Sequence, residues 1–284
     1  MIVVTGAGGH LGRLVVEGLL GVAPAGEIVA ATRRPEELTD LAERGVHVRH
    51  ADFDAPETLK SAFAGADRLL LVSSDAVGRR AVQHQAAIDA AAGAGIRLVA
   101  YTSVLHADVT PLIVAPEHKA TEEALIASGL PYTLLRNAWY TENYEVAIRG
   151  AVDSGLIIGS AGEGRVASAT RADYAAAAVA VLTTPGHENK TYELSGDTAW
   201  SYTDLAAEIA RAAGRDVTYR NFTPEGHRAA LLDAGLPEAA ADVYVSFDRD
   251  IERGALADTP GELRTLIGRP TTPLADSVTA ILAT

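Results

Sequence analysis

The sequence predicts a doubly wound α/β fold, a parallel sheet with helices on both faces, and three observations carry that reading. Short apolar, β-branched runs alternate with helical stretches at intervals of roughly twenty to thirty residues through the first half of the chain. Those runs are apolar on both faces, as strands buried between two helix layers must be. The first run, Ile2-Val3-Val4, passes directly into a glycine-spaced turn and then a helical pattern. A smaller, mostly helical C-terminal substrate lobe is expected beyond residue 136.

The turn after the first strand reads Thr5-Gly6-Ala7-Gly8-Gly9-His10-Leu11-Gly12, and Leu11, Leu14, Val15, Leu19 and Leu20 then recur at helical spacing. Gly6, Gly9 and Gly12 lack Cβ atoms. They let the chain turn sharply, bring backbone against a pyrophosphate, and pack helix on strand. The helix start adds free N–H groups and the positive end of its dipole. Strand, glycines and helix in that order predict a dinucleotide site of the Rossmann kind.

The second strand, Glu27 to Thr32, ends in Arg33-Arg34-Pro35. NAD-binding chains usually place an acid there for the ribose 2′-hydroxyl, whereas a 2′-phosphate needs cations. With two arginines and no acid, NADP(H) is the expected cofactor and Arg33 the expected phosphate contact. The third strand, Val46 to Asp52, brings Asp52 and Phe53 to where adenine sits, although a turn acid explains Asp52 nearly as well. His47 and His50 fall on opposite faces of that strand and make no metal pair. The fourth strand, Leu69 to Val72, runs into Ser73 and Ser74 on the ribose and nicotinamide side. A helix from Arg79 to Ala94, a fifth strand from Arg97 to Thr102, and a loop with His106 and Asp108 follow. A helix containing Glu117, His118 and Glu122 leads to the sixth strand, Pro131 to Leu135.

After Arg136 the rhythm breaks. Asn137-Ala138-Trp139-Tyr140-Thr141-Glu142-Asn143-Tyr144 places polar and aromatic side chains just past a strand's carboxyl end, where ligands bind in this architecture. Arg171 opens an alanine-rich helix, Thr191 to Leu194 reads as a short strand, and helices dominate from Thr203 onward. The expected organisation is a cofactor domain over 1–136 with returning segments at about 151–185, interleaved with a substrate lobe over 137–150 and about 186–284.

Composition narrows the function. The 284 residues carry a net charge of −13, which argues against nucleic acid and anionic membranes as partners. The absence of cysteine excludes disulfides, thiolate nucleophiles and cysteine-ligated metals. No apolar run approaches the ~20 residues of a membrane span, and no cationic leader precedes the first strand. A cytoplasmic protein without membrane insertion is expected, as a monomer or homodimer. The eight histidines are scattered, so neither a metal nor a flavin is expected, and no G-x-S-x-G elbow suggests a hydrolase.

The glycine pattern resembles the extended short-chain dehydrogenase/reductases, most of which use Tyr-x-x-x-Lys as a proton relay. None of the nine tyrosines has a lysine four residues later, and His118 stands where the lysine would. His118 is expected as an exposed helix residue. Two functions survive. One is hydride transfer to an acceptor that takes its proton from water, such as a quinone or a dye. The other is redox sensing by NADP binding without turnover.

The segments TGAGGHLG, LLLVSS, AYTSVLHAD, YTLLRNAWYTENY, ASATRADYAAA, YELSGDTAW and IGRPTTPLADSV resemble the NmrA-like atypical short-chain dehydrogenases over essentially the whole chain. They are most similar to the branch of bacterial NADPH-dependent quinone reductases, and less so to triphenylmethane reductases. The resemblance implies direct two-electron reduction of a small quinone or azo or triphenylmethane dye by NADPH, or regulation by NADP(H) in some relatives. It implies that Gly6, Ala7, Gly8, Gly9, His10 and Leu11 hold the pyrophosphate and Arg33 the 2′-phosphate. Ser73, Ser74 and Asp75 would lie at the ribose. Asn137, Ala138, Trp139, Tyr140, Thr141 and Glu142 would wrap the nicotinamide, with Arg171 completing the pocket. Tyr101, His106, Trp139, Tyr140 and Asn143 are the expected acceptor face, with a seam between lobes as the other reading of Trp139 and Tyr140. No catalytic side chain is assigned.

Overall fold

The computed structural model describes residues 1–283. Its first half runs β1 (Ile2–Val4), α1 (His10–Leu20), β2 (Ile28–Thr32), α2 (Thr39–Glu43), β3 (His47–His50), α3 (Pro56–Phe63), β4 (Arg68–Leu71), α4 (Arg80–Ala94), β5 (Leu98–Val104), α5 (Ala115–Ala127) and β6 (Tyr132–Asn137). The second half runs α6 (Glu145–Ser154), β7 (Leu156–Gly159), β8 (Arg165–Val166), α7 (Arg171–Thr183), β9 (Lys190–Leu194), β10 (Trp200–Ser201), α8 (Tyr202–Ala213), β11 (Thr218–Asn221), α9 (Pro224–Asp233), α10 (Glu238–Glu252), α11 (Glu262–Ile267) and α12 (Leu274–Ala283).

Seven strands form one parallel sheet in the order β3-β2-β1-β4-β5-β6-β9. Successive residues of each strand feed opposite cores, which is why the runs are apolar throughout. Val4, Ala30 and Leu70 pack beneath α1 and α7, against Val15, Leu19, Tyr174 and Val181. Val3, Leu69 and Leu71 pack beneath α3, α4 and α5, against Phe63, Ile88 and Leu125. The strand order reverses direction between β1 and β4, and the connections that leave these two strands on opposite sides open a crevice at their carboxyl ends. Thr5 ties the two strands there: its hydroxyl donates to the Leu70 carbonyl and accepts from the Val72 N–H.

A third core joins α6, α8 and α12 through Ile148, Leu205, Ile209 and Val278. Two small sheets attach to it, β7 with β11 in parallel and β8 with β10 antiparallel. Two placements differ from the sequence expectation. β9, expected in the smaller lobe, is the edge strand of the main sheet beside β6, and β7 and β8, expected with the cofactor domain, pair with β11 and β10 instead. A strand of this length carries no local mark of which sheet it joins; its pairing partner is chosen by distant chain. β5 and β6 also run further than their apolar cores suggest, to Val104 and Asn137. No helix of the described residues is long and apolar enough to cross a membrane.

Candidate functional site

The glycine turn forms a backbone cradle at the crevice. Gly6 takes a φ of +60°, the left-handed region that favours glycine. A Cβ on Gly12 would stand 2.3 Å from the Gly6 carbonyl oxygen, so the first turn of α1 rests directly on the loop. No side chain caps α1 at Gly9, which leaves the N–H groups of His10, Leu11 and Gly12 without helical partners. That combination fits a pyrophosphate. Ala7 and Leu11 present no side chain to the cradle. Both side chains are buried in the core, and the Ala7 N–H already donates to the Ala31 carbonyl.

A cleft of 380 Å³ runs from this cradle between the ends of β2, β3 and β4. Gly6, Gly8 and Gly9 line one side, Arg33, Asp52 and Phe53 another, and Ser73, Ser74 and Asp75 a third. The two arginines after β2 are not equivalent. Arg34 pairs with Glu37 at 2.6 Å, whereas Arg33 has no ion-pair or hydrogen-bond partner among the described residues. An unpaired guanidinium at the rim of a phosphate cradle suits a 2′-phosphate.

The segment after β6 forms a second cluster, two strands over from β4. The Asn137 amide donates to the Tyr140 hydroxyl at 3.4 Å, and its buried Oδ1 has no partner. Arg171 lies over the Tyr140 ring, 5.0 Å from its centroid, and donates to Asn143 Oδ1 at 2.9 Å. Glu142 accepts from the Arg171 backbone N–H at 2.9 Å, so its carboxylate sits on the positive end of α7. Burial raises the Tyr140 phenol above its ordinary range, and the hydrogen bond from Asn137 opposes that. The phenol is therefore protonated at neutral pH. Ala138 and Thr141 are buried, and the Thr141 hydroxyl bonds to Ser168 at 2.8 Å. These two shape the loop and do not present side chains. A larger hollow of 640 Å³ beside α12 shares only Thr141 with the expected site and touches none of the glycine turn.

Three expectations are corrected. Tyr101 is fully buried, with its hydroxyl 2.8 Å from His118 Nδ1, so it presents no face to an acceptor. Its position on β5 turns it toward α4 and α5. His118 is itself only 6% exposed, because α5 lays this face on the sheet. Burial first, and then the Arg80 cation, push its imidazole down to about 3. His106, at a φ of +51°, turns its ring onto two carboxylates, Asp258 at 3.0 Å and Glu193 at 3.4 Å. It faces a partner from beyond α10 and no longer offers a free donor.

Trp139 packs on Phe247 of α10 with ring centroids 4.4 Å apart and planes at 53°. Both rings are half-buried. This contact is the seam between lobes that stands as the other reading of Trp139. Phe247 went unread in the sequence, since it lies more than a hundred residues from the loop it meets and carries no motif. Gln83 was missed as well. It lines the cleft from α4, on a helix face shared with Arg80 and His84 that matches no known binding motif.

The parallel sheet, its crevice and the glycine cradle together define a dinucleotide-binding protein of the Rossmann class. The chain belongs to the NAD(P)H-binding family, whose model matches residues 6–185. It is 50% identical over 278 residues to quinone oxidoreductase 2 of Escherichia coli K12, covering 98% of this chain and 97% of that one. Among solved structures it is similar to the E. coli NADPH-dependent quinone oxidoreductase complexed with NADPH, with a TM-score of 0.96, 49% identity, and coverage of 99% and 100%. It is also similar to the Citrobacter sp. triphenylmethane reductase complexed with NADP(H), with a TM-score of 0.95, 39% identity, and the same coverage.

Proposed function

We propose that this protein is an NADPH-dependent quinone oxidoreductase that reduces a flat acceptor by two electrons without flavin or metal. One observation carries the reading. An unpaired Arg33 beside a bare, glycine-built helix start shares the carboxyl edge of the sheet with an aromatic–amide loop, in a chain that has no Tyr-x-x-x-Lys relay. The quinone oxidoreductases among its relatives, similar over nearly the whole length, support the same reaction.

When bound, NADPH supplies two electrons and one hydrogen, and with a proton from water the quinone becomes a hydroquinone and the cofactor NADP⁺. The residues of the chain bind and orient. Gly6, Gly8, Gly9 and the first N–H groups of α1 take the pyrophosphate, and Arg33 takes the 2′-phosphate. Ser73, Ser74 and Asp75 stand at the ribose. Asn137, Tyr140, Glu142 and Arg171 form the wall at the nicotinamide. Trp139, Asn143 and Phe247 form the acceptor end, where flat rings suit a flat substrate by offset stacking and keep water from the reacting atoms. The lobe that carries α10 thus supplies the acceptor side. The same reading makes this a cytoplasmic enzyme, monomeric or homodimeric, whose partner is a small-molecule acceptor.

Flavin-free protein, NADPH and a panel of quinones test it, followed by loss of the NADPH near-ultraviolet absorbance with NADH run alongside. Acceptor-dependent turnover with NADPH preferred is the expected result. Tight NADPH binding without turnover on quinones or dyes refutes it in favour of a sensor.

A further inference from the structure

Ser74 follows β4, and one face of α4 holds all three of its polar groups. Its N–H donates to His84 Nε2 at 3.0 Å, its carbonyl accepts from Arg80 Nε at 2.7 Å, and its hydroxyl donates to Gln83 Oε1 at 2.8 Å. Arg80, Gln83 and His84 lie three and four residues apart, so they share a helix face. A face turned to the interior is ordinarily apolar, yet these side chains are 6%, 7% and 0% exposed. Burying a guanidinium, an amide and an imidazole is unfavourable unless each is bonded, and here all three converge on one loop residue.

The bonds fix the chemistry of the imidazole. Accepting from the Ser74 N–H makes Nε2 the unprotonated nitrogen, so Nδ1 carries the hydrogen and donates to Thr121 Oγ1 at 3.0 Å. The Thr121 hydroxyl passes the chain on to the Glu117 carbonyl at 2.8 Å. The Glu117 carboxylate in turn accepts from the N–H groups of Gly78 and Arg80, both at 3.1 Å, which anchors the start of α4 to α5. Burial first, and then the Arg80 cation, push the His84 imidazole down to about 3, so the ring is neutral at neutral pH. Phe53, which lines the cleft, packs edge-on against the same ring at 5.9 Å.

We propose that His84 is a positioning residue of the cofactor cleft: as the Nδ1–H tautomer it accepts from the Ser74 N–H and so sets the path of Ser73–Asp75 against the ribose and nicotinamide half of NADPH. This rests on the reading of the cleft as an NADPH site. The imidazole is the side chain the position needs, because an apolar residue there leaves the Ser74 N–H unsatisfied and the loop held only through its carbonyl and hydroxyl.

His84→Leu removes the acceptor, and His84→Gln restores an acceptor oxygen near the place of Nε2. Titration of NADPH by fluorescence should show His84→Leu weakened about 5- to 50-fold, the effect of one unsatisfied donor, and His84→Gln back within about threefold of wild type. The apparent KM for NADPH should rise while that for the quinone stays unchanged. A folded His84→Leu protein with wild-type affinity overturns the proposal, as does a His84→Gln protein no better than it. If His84→Leu does not fold, long-range ¹H–¹⁵N spectra of the wild-type imidazoles decide. The Nδ1–H tautomer at His84 is expected, and the Nε2–H tautomer overturns the assignment. Wild-type protein that binds no NADPH strikes the cofactor reading instead, and the tautomer measurement still tests the His84–Ser74 contact.

Discussion

Replacing Arg33 with alanine is expected to separate the two nicotinamide cofactors by about tenfold. The guanidinium follows β2 at the rim of the cleft and has no partner of its own among the described residues, so nothing within the chain competes for it. A hydrogen bond to a charged group is worth about 1.5–3 kcal/mol. Arg33 is exposed, and solvent screening sets the expectation at the low end, about 1.5 kcal/mol. NADH, which lacks the 2′-phosphate, should change less than about twofold, because a lost phosphate contact is the whole of the effect. Arg34→Ala should weaken NADPH less than about threefold, since that side chain is engaged by Glu37 at 2.6 Å. Calorimetric titration of both cofactors into wild type and the two variants, at low and moderate salt, measures all of this. The Arg33 effect should shrink with salt. Equal losses for NADPH and NADH, or a larger loss in Arg34→Ala, would refute the assignment.

Three further outcomes follow from the packing. Gly12→Ala would place a Cβ 2.3 Å from the Gly6 oxygen. Relieving that overlap should lower stability by about 1–3 kcal/mol and weaken NADPH, whereas Gly93→Ala, with nothing within 4 Å, should be neutral or stabilising in a thermal melt. His84 and His118 both sit at about 3 in the fold against an ordinary 6.5. Between those values the unfolded chain binds a proton at each site that the native protein does not. Stability is therefore full above 6.5 and falls on acidification by about 1.4 kcal/mol per pH unit for each histidine. Urea unfolding at neutral pH and about one unit below 6.5 should show a smaller pH dependence in His118→Gln, and an unchanged one would count against the buried neutral ring. Phe247→Ala, which removes the partner of Trp139, should raise the quinone KM by about 3- to 10-fold, the size of an aromatic pair, and leave NADPH affinity alone.

Features whose physics is local were readable from the residues alone. A left-handed Gly6, a Gly12 that admits no Cβ and a helix start without a cap are properties of one short stretch, so the cradle was legible from residue 2 onward. The place of Arg33 at the end of β2, on the cleft, was legible for a related reason: the apolar run that makes the strand stops just before it. Apolar runs with helical stretches between them sufficed for the sheet and its two helix layers. Tertiary structure decided which face each remaining residue presents. Tyr101 and Thr102 are neighbours on β5, yet one is sealed against His118 while the other receives the Ser73 N–H. His106 looked free until Asp258, far along the chain, came to meet it. Phe247, the α4 face beneath Ser74 and the place of β9 in the main sheet belong to the same class. Composition and spacing set how a segment folds on itself, but contacts between distant segments depend on the layer each one joins, and that is settled only when the cores close together.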